Sequence, residues 1–184
     1  KLCEHAHLPM QSGSDKILKI MNRPYTRVRF LEIVNRLRST QSTMRISTDV
    51  IVGFPGETEY DFELTKSAFK ESGFEMAFIF KYSERSGTKV VKWSNVVPTE
   101  IKERRNQELL SMLRSQSKES NSKSLGGKFE ILVEAKAKKG VNMLMGRTRC
   151  NRKVVFEGDI TEIGTIKHVI IKETSATTLA GESA

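Results

Sequence analysis

RISTDVIVGFPGET, at residues 45–58, is the stretch that decides the fold. A run rich in β-branched residues leads into a Gly-Phe-Pro-Gly turn, and Thr58 then opens a helix whose first turn is acidic, so the stretch predicts a strand, a loop and a helix. Side chains alternate along a strand, which puts Ser47 and Asp49 on a polar face opposite an apolar one. Because α/β folds bind ligands at the carboxyl ends of their strands, residues 47–57 form the first candidate site.

Two further strands are predicted on either side of this stretch. HAHLPMQ at 5–11 alternates in the same way and places Gln11 on its polar face with His5 and His7, and EMAFIFKY at 75–82 is strongly apolar. Helical spacing of apolar residues predicts helices after Ser14 and at about 25–38, 58–72 and 98–120. Three strands alternating with helices predict parallel β/α units, as in a doubly wound sheet or part of a barrel.

The second half of the chain has a different pattern. SQSKESNSKS at 115–124 has little to bury and marks the domain boundary. Short strands are expected at 128–135, 141–147, 153–156 and 166–172, which suits a small closed β-barrel, and the polar tail from Ser175 is expected to fray. We therefore predict an α/β domain at 1–120, a linker at 121–127 and a small all-β domain at 128–184.

Composition narrows the possible partners. The 184 residues carry 31 Lys and Arg against 22 Asp and Glu, a formal charge of +9 that favours a polyanionic partner. No apolar run approaches the ~20 residues of a membrane span, so we expect no membrane partner and a cytoplasmic location. Cys3 and Cys150 form neither a disulfide framework nor a metal-binding spacing. The chain starts at Lys1 in what looks like the middle of a strand, and we expect further sequence upstream.

A basic segment at 136–153 contains no acidic residue. Its seven cations would repel one another on adjacent hairpins, so a nucleic acid is the favoured counter-charge, and a solvated basic face is the alternative. The candidate RNA-binding residues are Lys138, Lys139, Arg147, Arg149, Arg152 and Lys153, together with Arg85 in the turn after the third strand.

Asp49, the two histidines of the first strand and the GFPGE turn each allow a functional and a structural interpretation. Asp49 is either a structural carboxylate or a ligand-binding one, and it must have a partner because an unpaired buried carboxylate costs several kcal/mol. His5 and His7 have a spacing that suits a metal, but no third ligand lies near in sequence, so polar lining is favoured and no metal site is predicted. The GFPGE turn either presents backbone N–H groups to an anion or is simply a tight turn.

Four segments, taken together and in order, resemble the radical-SAM tRNA methylthiotransferases. These are HLPMQSGSDKILKIMNRPYT at 7–26, STDVIVGFPGETEYDF at 47–62, FIFKYSERSGT at 78–88 and GRTRCNRKVVFEG at 146–158. Within the family, the segments at 11–14 and 21–23 are most similar to the branch that acts on N6-dimethylallyladenosine. The sister branches modify threonylcarbamoyladenosine in tRNA or an aspartate of a ribosomal protein and remain alternatives, as does a non-catalytic RNA-binding module.

The resemblance implies a longer enzyme. Its parts would be an amino-terminal domain with an auxiliary cluster, a radical-SAM partial barrel, and a carboxy-terminal RNA-binding barrel called TRAM, a five-stranded OB-like β-barrel. This chain would supply about three β/α units of the partial barrel and all of TRAM. The cysteines for two 4Fe-4S clusters would lie in the missing amino-terminal half, so the fragment alone is expected to be inactive.

The implied reaction is reductive cleavage of S-adenosylmethionine, hydrogen abstraction from adenine C2 and insertion of a methylthio group, on a tRNA anticodon stem-loop. Toward S-adenosylmethionine, the resemblance and the polar strand faces together indicate Gln11, Ser12 and Asp49 as hydrogen-bonding residues. Gly53 would let the adenine approach the backbone closely. No catalytic residue is assigned.

Overall fold

The computed structural model describes residues 3–84 and 95–184. The chain divides into two compact units. The first, here called the α/β unit, consists of Ala6–Ser42 and Ile46–Leu113, and the second, here called the barrel unit, is built mainly by Arg114–Ala184.

Three parallel strands alternate with helices in the α/β unit, as the sequence predicts. In chain order the elements are β1 His5–His7, α1 Asp15–Ile20, α2 Arg27–Thr40, β2 Arg45–Val52, α3 Glu59–Ser72, β3 Met76–Lys81 and α4 Thr99–Ser122. The sheet order is β1-β2-β3. Asp49 of β2 lies beside Phe78 of the parallel β3, and beyond β1 an isolated parallel bridge joins Gln11 to Val50.

Local chemistry fixes where α3 begins and ends. The Thr58 side chain accepts a hydrogen bond from the Asp61 N–H while the Asp61 side chain accepts from the Thr58 N–H, a capping box that satisfies two free backbone donors. Gly73 ends the helix at φ 56°, in the left-handed region that glycine adopts without strain. Phe62 and Phe69 of this helix are completely buried, so α3 covers one face of the sheet.

Helix α4 confirms the predicted helix at 98–120 and ends at Ser122, two residues beyond the predicted end. It runs through most of the Ser/Lys/Asn tract at 115–124 that the sequence marks as the domain boundary. Ser117 and Asn121 are buried, and the Asn121 amide donates to the carbonyls of Ser175 and Ala176. The last turns are therefore held by tertiary contacts that composition does not reveal. No helix of the described residues, α4 included, is long and apolar enough to cross a membrane.

The barrel unit is a closed five-stranded barrel in the order β4-β5-β6-β8-β7. Its strands are β4 Lys128–Lys136, β5 Met143–Thr148, β6 Lys153–Glu157, β7 Ile166–Thr174 and β8 Leu179–Ser183. The expectation that the tail frays is wrong, because β8 pairs with both β6 and β7 and closes the barrel. Leu179 contributes a completely buried side chain to the core, which packs Ile131, Val154, Phe156 and Val169.

Candidate functional site

A cavity of about 530 Å³ lies at the carboxyl ends of the strands of the α/β unit. Its walls combine polar and aromatic side chains with aliphatic ones, as small-molecule sites do. The lining residues are Gln11, Ile20, Met21, Asn22, Arg23, Asp49, Ile51, Phe54, Phe80, Tyr82 and Ser83. The predicted placement of Gln11 and Asp49 at one cavity is confirmed, although the strand predicted at 5–11 ends at His7 and does not include Gln11.

Gln11 is held in an unusual backbone conformation at the cavity wall. Its φ of 63° lies in the left-handed region, which costs a residue other than glycine, asparagine or aspartate free energy. The strand compensates, because the Gln11 N–H donates to the Asp49 carbonyl over 2.8 Å and the Ile51 N–H donates to the Gln11 carbonyl over 2.9 Å. Arg23 donates to the side-chain oxygen of Gln11 over 3.1 Å, which leaves the amide N–H₂ as its donor.

Asp49 has the partner that the sequence argument required. The Nε2 atom of His7 lies 3.3 Å from one carboxylate oxygen of Asp49, and the Nδ1 atom of the same ring lies 2.9 Å from the Ser47 hydroxyl. The side chain of Asp49 is 27% exposed, so the carboxylate is accessible. His7 is not among the residues that line the cavity, so its role as polar lining stays a prediction. Among the described residues, no group of three or more potential metal ligands is present.

The GFPGE turn already contains an anion, the carboxylate of Glu57. The Gly53 N–H donates to Glu57 over 2.6 Å, and Arg105 of α4 donates to the same carboxylate oxygen over 2.7 Å. Burial raises the pKa of Glu57, and the Gly53 N–H and the Arg105 guanidinium oppose that rise. The turn is therefore fixed to α4 by a buried ion pair.

Gly53 has two structural reasons to be glycine. Its φ is +72°, and a Cβ atom there would lie 2.3 Å from the Cγ atom of Lys102. Gly53 precedes Phe54, which lines the cavity, but is not itself among the lining residues. The close approach of an adenine to Gly53 therefore stays a prediction.

Ser12 lies beside the cavity wall in a buried hydrogen-bond network. Its hydroxyl is 3.3 Å from the Thr65 hydroxyl and accepts from the Ser14 N–H over 3.2 Å. Ser14 in turn donates to Asp61 over 2.7 Å, and Lys16 donates to the same carboxylate over 2.6 Å. Ser12 is 1% exposed and is not among the lining residues, so the structure assigns its hydroxyl to joining the loop before α1 to α3.

Arg23 and Tyr82 line the cavity although the sequence argument did not select them. Both follow the ends of secondary-structure elements, where hydrophobic periodicity gives no signal. Asn22, at φ 55°, turns the chain at this point, and Tyr82 contacts Phe54 edge-to-face with ring centroids 5.0 Å apart. The sequence did carry a signal for Arg23, because the resemblance singled out the segment 21–23 and asparagine tolerates the left-handed conformation better than most residues.

The basic residues of the barrel unit differ in their exposure and in whether they pair with an acidic residue. Lys138 and Lys139 are exposed in the β4–β5 connection. Arg147 pairs with Glu134 at 3.1 Å, and Arg149 is 3.9 Å from Glu130.

The other predicted RNA-binding residues are Arg152, Lys153 and Arg85. Arg152 donates to Asn121, Ser120 and the buried Cys150, and so ties the loop before β6 to α4. Lys153 is half-buried at the start of β6. Arg85 lies outside the described residues.

Two family models match the chain. The Radical SAM superfamily matches residues 2–68, and the TRAM domain matches residues 123–183. Among solved structures, coproporphyrinogen III oxidase (HemN) from Escherichia coli, titled a Radical SAM enzyme, aligns with a TM-score of 0.54 at 11% identity over 79% of this chain and 41% of that one, which shows likeness of fold alone.

Three curated relatives that match nearly the whole chain share the name tRNA-2-methylthio-N(6)-dimethylallyladenosine synthase. The protein from Opitutus terrae is 48% identical over 99% of this chain, that from Carboxydothermus hydrogenoformans 45% over 94%, and that from Desulfitobacterium hafniense 43% over 98%. The chain spans 38%, 39% and 40% of their respective lengths. The resemblance drawn from the sequence motifs is confirmed.

Proposed function

We propose that this chain belongs to the radical-SAM tRNA methylthiotransferases and that it is the carboxy-terminal part of an enzyme that methylthiolates C2 of N6-dimethylallyladenosine beside the tRNA anticodon. The α/β unit would be part of the radical-SAM partial barrel and would supply one wall of the cofactor and substrate cavity. The barrel unit would bind the tRNA anticodon stem-loop. We place this enzyme in the cytoplasm, where the reducing environment keeps Cys3 and Cys150 as thiols.

The observation that supports the proposal best is the convergence of Gln11, Arg23 and Asp49 on one cavity within the residues that match the Radical SAM superfamily. S-adenosylmethionine carries a carboxylate, an ammonium, a ribose diol and an adenine. The cavity offers a guanidinium, a carboxylate, an amide and the aromatic rings of Phe54 and Tyr82, so each of these groups has a complementary partner. Its volume, about 530 Å³, is within the range of small-molecule sites.

We assign four of the cavity residues one task each toward bound S-adenosylmethionine. Arg23 would pair with its carboxylate, and Asp49 would accept from its hydroxyl or ammonium donors. Gln11 would donate through its free N–H₂ group, and Tyr82 would cover the adenine. Ser12 and Gly53 would act indirectly, by holding the loop before α1 and the turn after β2.

The iron–sulfur clusters would be bound by upstream residues. The described residues contain no group that could hold a metal, and Cys3 and Cys150 are free thiols that lie far apart in the sequence. When bound, the cofactor and the clusters supply the one-electron chemistry by which sulfur is added at C2 of the adenine. The task of this chain is to orient the cofactor and exclude water on one side of the cavity.

RNA binding by the barrel unit is the second part of the proposal. Lys138 and Lys139 are the best candidates for phosphate contacts, because both are exposed and neither has an acidic partner among the described residues. Changing both to glutamate should reduce tRNA affinity and should make the dependence of log K on log[salt] shallower by about 0.7 to 0.9 for each phosphate that is no longer bound. The matched control is Lys172→Glu, on β7, where Lys172 is half-exposed and paired with Glu182 at 3.2 Å.

The experiment that tests the proposed function is nucleoside profiling of tRNA from a strain lacking the full-length protein. The strain should accumulate N6-dimethylallyladenosine and lose its 2-methylthio derivative. Complementation with the wild type should restore the product, Asp49→Ala should not, and the exposed Glu119→Gln should behave as the wild type. Loss of a methylthio derivative of threonylcarbamoyladenosine instead would assign the protein to a sister branch. An unchanged tRNA profile, with tRNA binding intact, would favour a non-catalytic RNA-binding module.

A further inference from the structure

Asp49 is one end of a chain of three hydrogen-bonded side chains on the inner face of the sheet. We propose that His7 is a positioning residue for Asp49, and that Ser47 fixes the tautomer of His7 so that one carboxylate oxygen is kept for the cavity. This inference rests on the proposed function, because it takes Asp49 as a residue that binds the cofactor.

The three side chains come from two neighbouring strands. Ser47 and Asp49 are two residues apart on β2 and therefore point to the same face, and His7 ends β1 on the adjacent strand. The His7 ring spans the gap, with Nδ1 2.9 Å from the Ser47 hydroxyl and Nε2 3.3 Å from Asp49 Oδ2. Ser47 is completely buried, so its hydroxyl reaches the His7 ring from the side that faces the protein interior.

For a neutral His7 ring, the chemistry of the three groups sets the direction of the hydrogen bonds. An ionised carboxylate only accepts, so Nε2 of His7 must carry the proton that faces Asp49. In a neutral ring Nδ1 is then an acceptor, and the Ser47 hydroxyl donates to it. In proteins generally, the hydrogen bond made by one ring nitrogen of a histidine determines which nitrogen carries the proton.

Phe78 restricts the ring further. It lies beside Asp49 on the neighbouring strand β3 and meets the His7 ring near its edge, with centroids 6.4 Å apart and an interplanar angle of 67°. The ring is thus held by a hydrogen bond at each nitrogen and by an aromatic neighbour.

Asp49 Oδ2 is consequently occupied, and Oδ1 remains for a ligand. Among the residues that the structure describes, His7 is the one side chain bonded to this carboxylate. Since Asp49 lines the cavity, Oδ1 is the acceptor available to a hydroxyl or amine donor of a bound nucleoside. Without His7 the carboxylate rotates between equivalent orientations, and a ligand must then fix it at an entropic cost.

A double-mutant cycle on S-adenosylmethionine binding to the full-length protein tests this role. We expect His7→Phe to raise Kd about three- to tenfold, the scale of one modest hydrogen bond, and His7→Gln to recover most of the affinity through its amide donor. In an Asp49→Ala background, His7→Phe should change Kd by less than about twofold, because residues that act through one another are not additive. His168→Phe, on the barrel unit, is the matched control and should have no effect.

The tautomer is tested independently of binding. In the ¹⁵N-histidine-labelled full-length protein, the ring signals that His7→Phe removes are those of His7, and His168→Phe is the control. We expect the Nε2-protonated tautomer for His7, and a mixture of tautomers in Ser47→Ala. An Nδ1-protonated ring in the wild type would overturn the proposal.

The outcomes separate this inference from the proposed function. If Asp49→Ala leaves the Kd of S-adenosylmethionine unchanged, Asp49 is not a cofactor ligand and the site in the proposed function fails with it. If Asp49→Ala weakens binding and His7→Phe weakens it equally in both backgrounds, the proposed site stands and the positioning role of His7 is refuted.

Discussion

Removing Arg105 should destabilise the α/β unit more than any exposed charge change. The Arg105 and Glu57 side chains are 4% and 0% exposed and their charged atoms are 2.7 Å apart. In Arg105→Met the aliphatic volume is largely kept, but Glu57 stays buried without its counter-ion. Breaking a buried pair in this way costs about 3–5 kcal/mol, and we expect a decrease in the free energy of unfolding in that range at neutral pH.

The second substitution should partly reverse the first. In the double variant Glu57→Gln with Arg105→Met no buried charge remains, and the glutamine oxygen can still accept from the Gly53 N–H. Replacing a whole buried ion pair by groups of similar volume is often close to neutral. The double variant should therefore be more stable than Arg105→Met alone, although it carries one change more.

The pH dependence has a definite sign. Burial raises the pKa of Glu57 in the folded protein, and removal of the Arg105 charge, which opposes that rise, raises it further. A carboxyl group whose pKa is higher folded than unfolded favours folding below its unfolded pKa, and this contribution is lost as the pH rises through the folded pKa. The stability deficit of Arg105→Met should therefore shrink as the pH falls toward about 4.

Urea unfolding followed by far-ultraviolet circular dichroism measures these differences. Arg104→Met is the matched control, since Arg104 is the neighbouring residue and pairs with Glu59 on the surface at 42% exposure, where a salt bridge contributes about 0–1 kcal/mol. A cost below about 1 kcal/mol for Arg105→Met, or a double variant less stable than the single one, would refute the assignment of a buried ion pair.

Three further substitutions test the packing and hydrogen bonding within the α/β unit and the barrel unit. Burial alone would raise the pKa of Asp61, but hydrogen bonds from Lys16, Thr58 and Ser14 hold this pKa well below its usual range. Such a group stabilises the folded protein above its unfolded pKa, and this contribution is lost as the pH falls. Asp61→Asn should therefore be less stable than the wild type at pH 7, and its stability in urea should change less as the pH is lowered. Leu179→Ala should cost about 2–5 kcal/mol by thermal unfolding, and a cost near zero would contradict closure of the barrel by β8. Gly13→Ala should destabilise as well, because its Cβ would lie 2.5 Å from the Leu64 carbonyl oxygen, and an unchanged melting temperature would show that α3 can move aside.

Much of the α/β unit could be predicted because its signals are local. The alternation at 47–52 correctly separated Asp49 from the buried Val50 and Val52, and the predicted helix at 58–72 matches α3, with Thr58 as its N-cap. These features depend on side-chain direction and on capping, which neighbouring residues determine.

The elements that sequence missed depend on distant residues. β8 has one large apolar side chain, Leu179, and exists because β6 and β7 pair with it on either side. Helix α4 runs two residues past its predicted end at 120, where Asn121 bonds to the Ser175 and Ala176 carbonyls. Arg23 reaches the cavity because Gln11 accepts its hydrogen bond, a contact that joins two loops. None of these has a periodicity that the local sequence could show.

The basic segment shows why a count of charges along the chain is not a count in space. Residues 136–153 contain no acid, but the adjacent strand β4 supplies Glu134 to Arg147 and Glu130 to Arg149. The mutual repulsion that argued for a nucleic acid is therefore partly relieved within the protein. A phosphate must compete with a carboxylate at Arg147, whereas Lys138 and Lys139 have no acidic partner among the described residues and should dominate the salt dependence of tRNA binding.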